Sequence, residues 1–172
     1  MESLTDYVSL AQRGDQAAFA WLHARYAGWV RAIALGSLSA SEADDVVQEV
    51  ALTAWQKLPD LRDPALFGPW LARIARNRTT DALRRRRPQE PLPEGGVPGR
   101  AGDAPPLQAR ASEALRVIRE LPDAYRETLI LRLVEGWSGP EIATRTGLTP
   151  GSVRVNLHRG MALLRERLGA DA

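Results

Sequence analysis

The side chains able to do chemistry are few and unevenly placed. The chain has no cysteine and only two histidines, His23 and His158, far apart in sequence. Without thiols there is no disulfide scaffold, no thiolate zinc site and no cysteine nucleophile. Two distant imidazoles argue against a metal centre, so neither a metal nor any other cofactor is expected. Asp45 and Glu49 stand four residues apart, which could set two carboxylates on one helix face, but no histidine joins them. No nucleophile–base constellation appears, and no catalytic residue is assigned. What the chain has in quantity is arginine: all 23 basic residues are arginine except Lys57. The planar guanidinium fork suits phosphate oxygens and guanine edges.

Those arginines are concentrated. Over the 172 residues the net charge is only +2. Residues 1–67 are net acidic, whereas residues 68–87 hold 7 arginines against the single acid Asp81. One basic block in a nearly neutral chain points to a polyanion contact at one place. Residues 88–110 hold 6 of the 12 prolines and 4 of the 14 glycines and show no apolar period, so they read as a flexible linker. This divides the chain into an N-terminal domain (1–87), the linker (88–110) and a C-terminal domain (111–172).

Both domains read as helical, giving an all-α class: an N-terminal bundle and a C-terminal four-helix domain. Thr5 to Arg13 is a short helix stopped at Gly14, and Asp15 caps a second with Phe19, Leu22, Tyr26, Trp29 or Val30, and Ile33 on one face. Ser41 with Asp44 reads as the capping box of a third helix carrying Val46, Val47, Val50, Ala51, Ala54 and Trp55. Pro59 and Pro64 bound an irregular segment, and Pro69 marks the first turn of a fourth helix reaching about Arg87. In the C-terminal domain, Ala114, Val117, Ile118 and Leu121 form one stripe. Tyr125, Leu129, Ile130 and Leu133 form the next, closed by Gly136.

Two helices carry the functional signal. On the fourth, a helical projection gathers Trp70, Arg73, Arg76, Asn77, Thr80, Arg84 and Arg87 on one arc, with Leu71, Ile74, Ala75 and Ala82 on another. Guanidinium groups can hold phosphates while a ring and an amide engage an unpaired base. The alternative is a merely solvated charge face, which would mix Glu with Arg. The other signal is Ser138-Gly139-Pro140-Glu141, a capping box, followed by the breaker Gly147 and a restart at Thr149-Pro150. A short helix, a glycine turn and a longer capped helix with Val153, Leu157, Met161, Leu164 and Leu168 on one side make a helix-turn-helix. Its opposite face offers Gly151, Ser152, Arg154, Val155, Asn156 and Arg159, with His158 a phosphate or solvent contact. Purely structural bundles also contain such hairpins, but here caps, turn and basic face coincide.

These residues resemble a known family. Ala43-Asp44-Asp45-Val46-Val47-Gln48-Glu49-Val50 with Ala54-Trp55 resembles the polymerase-binding helix of bacterial extracytoplasmic-function (ECF) sigma factors. Trp70-Leu71-Ala72-Arg73-Ile74-Ala75-Arg76-Asn77 with Asp81-Ala82-Leu83-Arg84-Arg85 resembles their promoter-melting helix. Leu121-Pro122, Val134-Glu135-Gly136, Glu141-Ile142-Ala143, Gly151-Ser152-Val153 and Leu157-His158-Arg159 resemble their promoter-reading domain.

The resemblance implies a division of labour. Asp44, Asp45, Gln48, Glu49, Ala54 and Trp55 would dock on the β′ clamp helices of core RNA polymerase. Residues 60–69 would capture a flipped base of the −10 element. Phe67, Trp70, Arg73, Arg76, Asn77, Thr80, Arg84 and Arg87 would hold that strand. Thr149, Gly151, Ser152, Arg154, Val155, Asn156, His158 and Arg159 would meet the −35 element, with this domain also touching the β flap. An anti-sigma protein is the implied regulatory partner. The two prolines of 61–69, and Val155-Asn156 in place of a small and basic pair, depart from the family pattern. No signal or membrane-spanning segment is read, so the expected place is the cytoplasm, without membrane insertion. The alternative function is a stand-alone helix-turn-helix regulator that does not act through polymerase.

Overall fold

A computed structural model describes residues 3–85 and 106–170. The described residues form eight α-helices and no strand. They are α1 (Leu4–Gln12), α2 (Gln16–Leu35), α3 (Ala40–Lys57), α4 (Phe67–Arg85), α5 (Pro106–Arg119), α6 (Asp123–Leu133), α7 (Gly139–Thr146) and α8 (Pro150–Ala170). Short 3-10 turns at Leu58–Asp60 and Pro64–Leu66 bridge α3 to α4. Most of the expected linker, together with Arg87, lies outside the described residues. Its last five residues do not behave as linker: α5 starts at Pro106, a residue whose fixed φ suits the first helical turn.

The N-terminal set packs α2, α3 and α4 against one another, with α1 laid across α2. Leu22, Tyr26, Val46, Val50, Phe67 and Ala75 lie within 2% of complete burial and form its centre. Burying a side chain of that kind contributes about 1.5–3 kcal/mol. The caps follow the sequence with one shift. Asp15 accepts from the amide of Ala18 as expected, but the capping box of α3 is Ser39 with Glu42, not Ser41 with Asp44. Both pairs satisfy the pattern; using the earlier one leaves Asp44 free to take Arg31. The Gln12 side-chain amide donates to the carbonyls of Leu58 and Leu61 at 3.1 and 2.7 Å, pinning the turn that delivers α4.

In the C-terminal set α6 is central, contacted by α5, α7 and α8 and also by α2 of the other set. Its burial is therefore not a single stripe: Leu129, Ile130 and Leu131 are all enclosed, while Leu133, expected inside, is 48% exposed on the last turn. Val117, Ile118, Leu121, Ile142, Val153 and Leu164 complete this core. The two sets do not stand apart. α2 lies on α6 and α4 meets α7, and Arg119 of α5 donates to the carbonyls of Leu35, the last residue of α2, and of Leu38 in the turn that follows, at 3.0 and 2.8 Å.

Candidate nucleic-acid interface

α4 is amphipathic in the sense its sequence requires. Leu71, Ala72, Ala75 and Thr79 are buried, and Arg73, Arg76, Asn77, Thr80 and Arg84 are exposed along the other side. Trp70 is half-buried, its ring centroid 5.8 Å from that of Phe67. Thr79 satisfies its buried hydroxyl by donating to the Ala75 carbonyl at 2.8 Å. Two other arginines are occupied: Arg78 donates to the Thr53 hydroxyl and Arg85 pairs with Glu49 across to α3. Phe67 does not sit on the arginine face. It is 1% exposed and packs edge-on against Tyr26, because the 3-10 turn before it aims its ring into the core. The same turn leaves its neighbour Leu66 53% exposed.

α3 presents a second surface. Asp45, Gln48 and Glu49 lie at three- and four-residue steps, Asp45 and Gln48 exposed and Glu49 half-buried. Leu52 continues that ridge and is 66% exposed, a contact candidate that sequence reading missed although its spacing from Gln48 and Glu49 was visible. Asp44 is held by Arg31 at 2.7 Å. Ala54 is 1% exposed and belongs to the core, and Trp55 is half-buried edge-on against Phe19, so these two support the ridge from beneath.

The helix-turn-helix is α7 and α8. The Ser138 backbone N–H donates to the Glu141 carboxylate at 2.8 Å, the Ser138 hydroxyl accepts from the Glu141 amide, and Pro140 lies in the first turn. The Ser138 hydroxyl also donates to the Glu141 carboxylate at 2.8 Å, and with the Ser138 N–H bond it holds the exposed Glu141 carboxyl below its usual range. Gly147 closes α7 at φ 76°, a left-handed conformation that costs a side-chain-bearing residue about 1–2 kcal/mol. Thr149 then accepts from the amide of Ser152 at 3.1 Å and starts α8. Gly151, Ser152, Arg154, Val155, His158 and Arg159 are exposed around the first turns of α8. Asn156 is half-buried and turns instead toward a cleft of about 550 Å³ between the two helical sets, which Trp29, Arg76 and Thr80 also line.

Comparisons with known proteins agree with this layout. Residues 22–89 match the family model for Sigma-70 region 2, and residues 111–164 match that for Sigma-70, region 4. The "Probable RNA polymerase sigma factor RfaY" of Xanthomonas campestris is 34% identical over 168 residues; the match covers 92% of this chain but 42% of that protein, so the chain spans less than half its length. The ECF RNA polymerase sigma factor RpoE of Cereibacter sphaeroides is 33% identical, with 95% and 96% of the two chains covered. Among solved structures, CnrH in complex with the cytosolic domain of CnrY is similar with a TM-score of 0.62 and 27% identity over 98% of both chains.

Proposed function

The chain belongs to the ECF family of RNA polymerase sigma factors, and on that premise we propose that it directs core polymerase to a subset of promoters through three surfaces. The observation that carries the reading is the exposed row Arg73, Arg76, Asn77, Thr80 and Arg84 on α4, in the same chain as a capped helix-turn-helix. Phosphates of a melted −10 strand would suit the arginines, while Trp70, Asn77 and the exposed Leu66 offer a ring, an amide and an apolar side chain to an unstacked base. The first turns of α8 are suited to the −35 major groove, where Arg154 and Arg159 are long enough to reach base edges and Thr149, Gly151 and Ser152 lie at backbone depth.

The acidic ridge of α3, with Asp44, Asp45, Gln48, Glu49 and Leu52, supplies carboxylates, an amide and one apolar side chain to the basic clamp helices of the β′ subunit. The C-terminal set adds a contact with the β flap. In this reading catalysis belongs to the polymerase, the chain works in the cytoplasm, and an anti-sigma protein is the regulatory partner. No described helix is long and apolar enough to cross a membrane.

The test is co-purification: tagged chain should retain core polymerase from a lysate of its host. Asp45→Arg with Gln48→Arg should abolish that retention while leaving helicity unchanged. Failure of the unaltered chain to retain polymerase removes the reading and leaves a stand-alone helix-turn-helix regulator.

A further inference from the structure

The outward face of α8 has an apolar centre. Val155 stands about 160° and 180° around the helix from the buried Val153 and Leu164, so it points away from the core. It is 44% exposed. Its neighbours at three- and four-residue steps, Gly151, Ser152, His158 and Arg159, are all exposed too. Asn156, the next residue, is half-buried and lines the cleft instead. The middle of the face is therefore the two methyl groups of a valine, with hydroxyl, imidazole and guanidinium groups around them.

A single exposed valine needs no explanation by itself. Here it comes with a glycine that the fold does not require. A methyl group at Gly160 of the same helix would lie 3.1 Å from the Leu129 side chain, so packing favours glycine there. At Gly151 a methyl group would meet nothing nearer than the Thr149 hydroxyl at 3.9 Å, and the backbone is not left-handed. Glycine and a β-branched residue are both poor choices for an exposed helix turn. Because helical side chains lean toward the N-terminus, Val155 leans over the bare backbone of Gly151 one turn earlier. The pair makes a shallow apolar notch.

Among the groups that base pairs present in the major groove, one is apolar: the C5-methyl of thymine. The others are donors and acceptors, and covering one with valine would strip its water without replacing the bond. We propose that Val155 is a specificity-determining residue of the −35 contact, its side chain packing on a thymine methyl that enters the notch at Gly151. This rests on the assignment of α8 to the −35 major groove and adds a base that the groove must offer. A cytosine or a purine at that place is disfavoured twice, by the missing methyl and by a polar edge left facing valine.

The test uses core polymerase loaded with the full chain and a pool of promoter duplexes randomised across the −35 region. Recovered sequences should share a thymine at one −35 position. Deoxyuridine at that position, which lacks only the methyl group, should weaken binding roughly fourfold, the worth of one buried methyl. Val155→Ala should bind thymine and deoxyuridine equally, whereas Val155→Ile should keep the preference. Val155 is exposed and alanine is the better helix former, so circular dichroism should show no loss of fold. Gly151→Ala should stabilise the helix yet weaken the −35 contact roughly fivefold by filling the notch.

Equal binding of thymine and deoxyuridine by the unaltered chain at every −35 position overturns the proposal. So does a Val155→Ala variant that still tells them apart, or a recovered −35 sequence without thymine. Unweakened binding by Gly151→Ala removes the notch. In each of these cases a −35 sequence is still selected and the sigma reading stands, whereas no selection at all removes both.

Discussion

α4 and α8 both expose the arginines that the proposed function gives to nucleic acid, yet they stand in different states. On α4 the exposed row includes Arg76, which a carboxylate of the other helical set already holds. On α8, Arg154 and Arg159 are exposed and no ion pair to them occurs among the described residues; only Asn156 turns toward the cleft. Under the proposed assignment the difference suits two different targets. A duplex is present before polymerase arrives, so a helix proposed to read it needs only rigid presentation, which the caps at Ser138, Gly147 and Thr149 supply. A melted strand exists only after polymerase acts, and of the α4 arginines proposed to hold it Arg76 is paired with Glu127 in this structure.

The comparison is first sharpened in the cores. Leu22 and Leu129 are both fully buried, one in each helical set. Replacing either by alanine should cost about 2–5 kcal/mol, read from chemical denaturation. A single shared transition in both variants would mean that the interface couples the sets; separate transitions would mean that each core stands alone.

Next come the two arginine faces. Arg73→Ala with Arg84→Ala should weaken binding of the polymerase complex to a pre-melted promoter fork by roughly tenfold or more, the worth of lost charge-assisted bonds. The salt slope should fall by about 1.4 if both arginines touch single-strand phosphates. Arg154→Ala with Arg159→Ala should leave fork binding nearly intact and reduce discrimination at the −35 element by about 1–3 kcal/mol per lost base contact. Equal effects of both pairs on fork and duplex would erase the distinction between the faces.

Gly147→Ala should cost about 1 kcal/mol, measured by thermal denaturation, because alanine would be forced into the left-handed region. It should impair −35 reading before it impairs strand binding.

The smallest expected effect concerns acid. The Glu141 carboxyl is held below its ordinary range by bonds to Ser138. A carboxyl whose folded pKa is depressed stabilises above its unfolded value, about 4.3, and loses that contribution as pH falls through the lower folded value. Amide exchange in α7 should therefore quicken below that range. Glu141→Gln keeps a capping partner but cannot titrate, so its α7 should lack this acid step.

Periodicity was legible wherever a helix has one buried side. The face of α4, the stripe of α8 and the caps Asp15, Ser138 and Thr149 all stand as the spacing predicts. It failed where packing comes from several directions. α6 is surrounded, so Leu131 is enclosed and Leu133 is not. The family resemblance set Phe67 among the strand-holding residues, yet a tight turn rotates it inward, and no sequence period reports such a rotation. At α3 the sequence reads as Ser41 with Asp44, whereas Ser39 with Glu42, the longer acid the capping box favours, forms the box. The pairing of Arg76 with Glu127 joins residues 51 apart in sequence. Charge segregation showed the cations, but nothing local named the carboxylate that holds them.

The central claim is that both faces act together on one promoter through polymerase. Promoter fragments recovered with polymerase in the presence of this chain can be probed with permanganate, which modifies unpaired thymines. Core polymerase plus the chain should expose thymines at the −10 element, and core alone or the chain alone should expose none. Duplex binding by the chain alone, with no unpaired thymines when core is added, would contradict the account.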